Sequence, residues 1–282
     1  MASAPKAPAP RDSASVLLLR EAAGGFEVFM VRRHGRSAFM GGAHVFPGGT
    51  VDPEDRAPSL WFRARGHEPA SAARVLGESD GETAMALFCA AVRETFEEAG
   101  VLLAELDDAA RMPEARRQLL EGEAFERVLE GLGANPALDR LVPHSRWITP
   151  EVEPRRYDAR FFVASVSAGQ WAEHDRKETT AGVWLAPSIA LEQERAGAIQ
   201  LPPPTMRTLE ALAAHDSVDA VLRDAARRPP PVVQPVFREM DDGSLVLCLP
   251  GDPEHPVSER ALPGPTRMVL EDGRWWSREA PP

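Results

Sequence analysis

Cysteine is almost missing, with two residues, Cys89 and Cys248, in a chain of 282. Two cysteines make no disulfide framework, so the fold must rest on a buried core, and a reducing, cytoplasmic setting is expected. No apolar run approaches the ~18 residues that a bilayer crossing needs, which removes the membrane-spanning class. The first residues, MASAPKAPAPRDSAS, hold no apolar segment, so residues 1–12 read as a disordered tail rather than a secretion signal or membrane anchor. Positive charge is also short: 32 basic against 43 acidic residues leave a formal charge of −11. That balance opposes binding to extended nucleic acid, which relies on releasing counterions from many phosphates. No internal repeat is present. At 43% hydrophobic, the chain can bury one sizeable core and a small appended unit.

What the chain does hold is RETFEEAG at 93–100, three glutamates within one helical turn. Ser79 with Glu82 reads as a capping box and Gly100 as a left-handed stop, which predicts a helix over 80–99. On it Glu94, Glu97 and Glu98 stand at i, i+3 and i+4 and share a face, while Met85, Phe88, Cys89, Val92 and Phe96 fall on the other side. Like charges at this spacing cost about 0.2–0.5 kcal/mol per pair. A divalent cation reverses the sign of that repulsion, and oxygen ligands without His or Cys suit Mg²⁺ or Mn²⁺. A solvated acidic face is the alternative, and context has to separate the two.

The context is VFPGGTVD at 45–52, where Pro47, Gly48 and Gly49 break a short apolar strand and let backbone approach a ligand closely. With Arg93, Glu94, Glu97, Glu98 and Gly100, this turn resembles the split halves of a Nudix box, G-x5-E-x7-R-E-U-x-E-E-x-G-U, where U is a bulky apolar residue. Members of that superfamily cleave diphosphates linked to another moiety. Asp55 stands in the place of the first Glu, 37 residues separate it from Arg93 instead of seven, and Thr95 occupies an aliphatic position. The extra length, about 53–81, falls in the loop between strand and helix, where it costs little closure entropy. Asp55, Glu78 and Glu82 are each candidates for the first acidic residue. The stretches SAFMGGAHVFPGGTVDPED, AAVRETFEEAGVLL, RWITPEVEPRRYDARFFVAS and VWLAP look like the coenzyme A diphosphatase branch, closest to its interrupted-box, organelle-associated eukaryotic subgroup.

The resemblance implies a site. Glu94, Glu97 and Glu98 are the expected metal ligands, for Mg²⁺ or Mn²⁺, and Arg93, four residues before Glu97, orients that carboxylate. Glu178 is the expected base from the loop AEHDRKETTAGVW, with Glu173 the other acid there. Gly48 and Gly49 border the substrate. Arg32, Arg33 and Arg36 supply a basic element for its phosphates, with Arg155, Arg156 and Arg160 a second basic cluster. His44 reads as a hydrogen-bonded core residue. The implied reaction splits coenzyme A or an acyl-CoA into 3′,5′-ADP and the (acyl-)phosphopantetheine. Cleavage of ADP-ribose, of nucleotide sugars or of an RNA cap are the enzymatic alternatives. A non-catalytic nucleotide-binding module is the alternative of another class, and such a module is expected to lose the metal glutamates. The partner is a small-molecule diphosphate, with neither membrane nor extended nucleic acid involved, and a homodimer is compatible with it.

The order of elements predicts an α/β chain, a Nudix-type α/β/α sandwich with a mixed sheet. SVLLLRE and FEVFMVRR read as a hairpin around Gly24-Gly25, and AHVF as a third strand. Residues 105–132 read as helical with a break at Pro113. RWIT, YDARFFVASV and GVWLA follow as strands, then helices near 188–196 and 204–226. The domain is expected over 13–228, with RRPPPVVQP a stiff joint and a small β-rich appendage in 229–282.

Overall fold

The computed structural model of the chain describes residues 7–35, 41–106, 108–166, 172–175 and 179–280. The first strands are β1 (Arg11–Ala22), β2 (Gly25–Arg33), β3 (His44–Val45) and β4 (Gly48–Thr50). Helices α1 (Pro58–Arg63), α2 (Pro69–Leu76) and α3 (Gly81–Ala99) follow. A two-residue ladder of β5 (Ala104–Glu105) and β6 (Asn135–Pro136) brackets α4 (Met112–Leu120) and α5 (Phe125–Leu132). Then come β7 (Val142–Ile148), β8 (Tyr157–Ser165), β9 (Thr179–Leu185), α6 (Pro187–Arg195), α7 (Pro203–Leu212) and α8 (Val218–Ala226). Last are β10 (Val232–Val233), β11 (Val236–Glu239), β12 (Leu245–Cys248), β13 (Arg267–Glu271) and β14 (Arg274–Arg278).

The main sheet runs β10-β7-β8-β1-β2-β3, with β4 also on β1 and β9 also on β2. β1 is parallel to β8 and β10 to β7; the other pairings are antiparallel, so the sheet is mixed. Its central strands read as unbroken apolar runs because both faces are covered. Val16, Leu18, Phe29, Val31, Phe162 and Ala164 pack with α3 on one face. Leu17, Leu19, Val28, Met30, Phe161 and Val163 pack on the other with residues of α6, α7, α8 and the C-terminal sheet β11-β12-β13-β14. This is the expected α/β/α sandwich with an additional β unit.

Several details differ from the sequence reading. Arg11 and Asp12, read as the end of a tail, begin β1: Arg11 pairs with Tyr157 and Asp12 forms an ion pair with Arg160 at 3.0 Å. The insertion is folded, with Pro58 and Pro69 at the starts of α1 and α2, where a missing N–H costs nothing. The N-cap of α3 is Asp80, one residue past Ser79, and it accepts from the N–H groups of Glu82 and Thr83 at 3.2 and 2.9 Å. Pro113 opens α4 instead of breaking a helix. The Pro-rich joint adds β10 to the main sheet beside Arg146 and Trp147. Among the described residues no helix is long and apolar enough to cross a membrane.

Candidate active site

α3 is the buried helix of the sandwich, and its small residues Ala84, Ala86, Ala90 and Ala91 are fully covered. It ends at Gly100, whose φ of 71° permits the left-handed turn and whose N–H reaches the Phe96 carbonyl at 3.0 Å. Thr95, at the aliphatic position of the box, is completely buried. Its hydroxyl donates to the Ala91 carbonyl at 2.6 Å, so no polar group is left unsatisfied.

The glycine turn lies directly against this helix. β4 pairs with Ser13, Ala14 and Ser15 of β1, and the Gly48 N–H donates to Glu98 Oε2 at 2.9 Å. A Cβ on Gly48 would come within 2.2 Å of the Ala14 carbonyl oxygen, and one on Gly49 within 2.3 Å of Glu94 Oε1. Side chains are therefore excluded at both positions by the same close approach that brings strand and carboxylates together.

Arg93, 5% exposed, organises the acids. It grips Asp55 with two parallel bonds, Nε to Oδ1 at 3.0 Å and Nη2 to Oδ2 at 2.8 Å. Nη2 also donates to the Thr50 carbonyl at 3.0 Å, while Nη1 reaches Glu94 Oε1 at 2.8 Å and Glu97 Oε1 at 3.5 Å. The contact with Glu94 is thus shorter than the expected one with Glu97. Asp55 is 1% exposed and is steadied by the Asp52 N–H at 2.8 Å. Of the three candidates for the first acid of the box, Asp55 is the one at the site. Glu78 pairs with Arg160 and Arg146, and Glu82 lies at the far end of α3.

Burial pushes the Glu94 carboxyl up to about 7 against the pull of Arg93, with Glu97 adding to the rise. Glu97 is raised too, by burial first, with Asp52 and Asp55 reinforcing it against Arg93. Carboxylates in this condition favour any partner that offsets their charge, and hard oxygen donors suit a divalent cation. As placed, no three His, Cys, Asp or Glu side chains among the described residues converge as a metal cluster. Arg93 holds Glu94 and Glu97, and the Gly48 N–H holds Glu98. The donors therefore fit a cation shared with phosphate oxygens and water better than a closed protein cage.

The other expected residues scatter. Arg32 is exposed, donates to the Gly42 carbonyl at 3.3 Å, and follows Val31, whose side chain faces α3, so alternation turns Arg32 to the opposite face. Arg33 pairs with Thr179 across a bulge at the end of β2. Arg36 and Glu178 lie outside the described residues. Arg160 is consumed by Glu78, Asp12 and Asp158, and Arg156 by the Thr149 and Pro8 carbonyls. Arg155 lines a cleft of about 410 Å³ with Arg11 and Tyr157. Among the described residues His44 Nδ1 is buried without a hydrogen-bond partner, while the His44 backbone N–H donates to the Gln200 carbonyl at 2.9 Å. Arg116 of α4 was not foreseen. It donates to the Glu97 carbonyl from Nε and Nη2 at 3.1 and 2.8 Å, and no spacing rule ties it to the box.

A family model described as the NUDT19 Nudix domain matches residues 2–212. The chain is similar to the acyl-coenzyme A diphosphatase NUDT19 of Gallus gallus, 29% identical over 93% of this chain and 85% of that protein. The Homo sapiens protein of the same name is 28% identical over 81% of this chain and 72% of its own length. A solved Nudix hydrolase from Alicyclobacillus acidocaldarius superposes with a TM-score of 0.65 at 29% identity, covering 76% of this chain and 96% of that one. With the box residues gathered at one end of α3 and a model match over most of its length, the chain belongs to the NUDT19 Nudix domain family.

Proposed function

We propose that the chain hydrolyses the diphosphate of coenzyme A or its acyl thioesters, giving 3′,5′-ADP and (acyl-)4′-phosphopantetheine. The observation that carries the diphosphate chemistry is the contact of the Pro47-Gly48-Gly49 turn with Glu94 and Glu98, locked by the Arg93–Asp55 pair. The substrate is inferred from the relatives, which are named acyl-coenzyme A diphosphatases.

In this reading Glu94, Glu97 and Glu98 hold the cation. Nudix hydrolases in general depend on a divalent cation, and Mg²⁺ or Mn²⁺ is the proposed species here. Such an ion would offset the diphosphate's charge and lower the pKa of a water bound to it. Arg93 keeps Glu94 and Glu97 side by side and holds them to β4 through the Thr50 carbonyl. Gly48 and Gly49 keep the strand edge bare, so a phosphate can approach the backbone. Glu178 is the proposed base. Arg33 and Arg36 are the proposed contacts to the 3′-phosphate, which arginine reads bidentately, whereas Arg32 is turned to the opposite face of the sheet. Cys89 and Cys248 are both buried thiols, in keeping with a reducing, cytoplasmic setting.

The test is a substrate panel of coenzyme A, acyl-CoA, dephospho-coenzyme A, ADP-ribose and capped RNA, with products identified by mass spectrometry. The expected result is 3′,5′-ADP from coenzyme A esters, abolished by a chelator and restored by Mg²⁺ or Mn²⁺. Preference for ADP-ribose, with no 3′,5′-ADP from any ester, refutes the substrate while leaving the family in place.

A further inference from the structure

The last turn of α3 leaves carbonyls without helical partners, and in a carboxylate-bearing helix the way those carbonyls are met fixes where the carboxylates sit. Three partners meet them here. The Phe96 carbonyl accepts from Gly100, the Glu97 carbonyl from Arg116, and the Ala99 carbonyl from the Glu173 N–H at 2.8 Å. Arg116 Nη2 also donates to the Glu173 carbonyl at 2.8 Å. One guanidinium from α4 thus joins the end of α3 to the segment 172–175, which leads into β9. The far side of that segment is pinned as well, because Asp175 Oδ1 accepts from the Thr179 N–H at 3.0 Å and its hydroxyl at 2.6 Å. Thr179 in turn pairs with Arg33 on β2.

Gly100 makes the join possible. The φ of 71° calls for glycine there, and a Cβ would lie 2.8 Å from Arg116 Nη1, so a larger residue would also displace the guanidinium from its present place. Arg116 makes these contacts with backbone carbonyls through its planar fork, and the charges of Asp175 and Glu173 act on the same guanidinium.

We infer that Arg116 is a positioning residue for the hydrolysis: it sets the distance between the carboxylate face of α3 and the segment 172–175. This rests on the reading that Glu94, Glu97 and Glu98 form the reaction site. It assigns a second task to Gly100 of the box, and it makes the chain between α3 and β7 part of the active-site architecture.

The experiment uses the full chain with Arg116→Ala, Arg116→Lys and Gly100→Ala. Steady-state turnover of coenzyme A, or of whichever diphosphate the panel identifies, is measured beside amide hydrogen exchange over 172–175 and thermal melting. Arg116→Ala should lower kcat by about 10- to 100-fold, the scale of an ångström's misplacement, with KM within about twofold. The Glu173 amide should lose protection while α3 and the sheet keep theirs and melting stays cooperative. Arg116→Lys should not restore kcat, because one ammonium cannot span both carbonyls. Adding Arg116→Ala to Gly100→Ala should cost little more than Gly100→Ala alone, since both open the same join. Full kcat with an unprotected Glu173 amide overturns the inference, as does rescue by lysine. A Glu173 amide still protected in Arg116→Ala overturns it whatever the substrate proves to be, so its failure is told apart from failure of the coenzyme A reading.

Discussion

At Arg93 a single buried guanidinium faces Asp52, Asp55, Glu94 and Glu97 within 4 Å. The partners are not equivalent: Asp55 is 1% exposed and bidentate, whereas the Asp52 side chain is 56% exposed and 3.7 Å away. Removing one partner of a buried pair strands the other charge, at a cost of about 3–5 kcal/mol. Asp55→Ala should therefore lower unfolding stability on that scale in a denaturant titration, while Asp52→Ala stays within about 1 kcal/mol. Equal effects of the two would remove Asp55 from its place as the first acid of the box. Glu94 carries the opposite sign. Its folded carboxyl titrates near 7 and its ordinary value is 4.5, so the folded state holds a proton that the unfolded state gives up. The stability this contributes is complete below about 4.5 and is lost as pH rises through 7. With a chelator present, the wild type should lose melting temperature across that window relative to Glu94→Gln, and added Mg²⁺ should cancel the difference. Parallel pH profiles for the two proteins would show that Glu94 ionises without penalty. The sequence showed three acids on one helical face. It could not show which acid meets Arg93, because the insertion hides the register between Asp55 and the helix.

Among the elements, β4 and α3 act as one unit because two glycines let them touch. Gly49→Ala places a methyl 2.3 Å from Glu94 Oε1, so the carboxylate or the strand must move. Turnover should fall at least tenfold with the melting temperature little changed, since only the carboxylate end of a side chain has to shift. Gly48→Ala meets backbone at 2.2 Å and keeps a φ of 156°, so it should lower stability as well as turnover. If Gly49→Ala keeps normal kcat, the contact of β4 with Glu94 is not part of the reaction. The elements that were legible are those with long-period patterns. The β1–β2 hairpin follows from two apolar runs around Gly24 and Gly25, and α3 from its buried stripe and Gly100. Those that were not legible are short or decided by tertiary contact. Ser79 and Asp80 are adjacent and equally good caps, and only the bonds to Glu82 and Thr83 choose Asp80. α1 and α2 are too short for periodicity to declare them. Their place is fixed by packing on α3 and by the Trp61 Nε1 bond to the Asp55 carbonyl at 2.9 Å. Arg116 was invisible because its partners are carbonyls, which leave no mark on side-chain pattern.

For the whole molecule the question is whether the C-terminal sheet is carried by the sandwich or completes it. Composition marks a joint at RRPPPVVQP, and proline-rich joints usually separate units. Yet β10 within that joint is paired with β7, and Leu247, Leu249, Leu262 and Met268 share one buried cluster with Leu17, Leu19, Met30, Met206 and Leu209. Arg207 of α7, 2% exposed, donates to the Pro263 carbonyl at 2.6 Å and pairs with Glu210, which also accepts from the Ser277 hydroxyl at 3.0 Å. Arg274 reaches back to Glu194 of α6 at 3.1 Å. Burial of a large apolar side chain stabilises by about 1.5–3 kcal/mol. The four contributed by the C-terminal region therefore weigh about as much as the roughly 5–15 kcal/mol net stability of a typical domain. They cover the sheet face opposite α3, so nothing in the carboxylate site would substitute for them. A chain ending at residue 228 should accordingly lose its cooperative thermal transition, expose apolar surface to a hydrophobic dye and lose turnover together with its fold. Proteolysis of the intact protein within 227–231 should leave the two fragments associated on a sizing column. Cooperative melting of residues 1–228 within a few degrees of the full chain, with turnover intact, would show instead that the sheet is an appendage and that the cluster between the two layers contributes little.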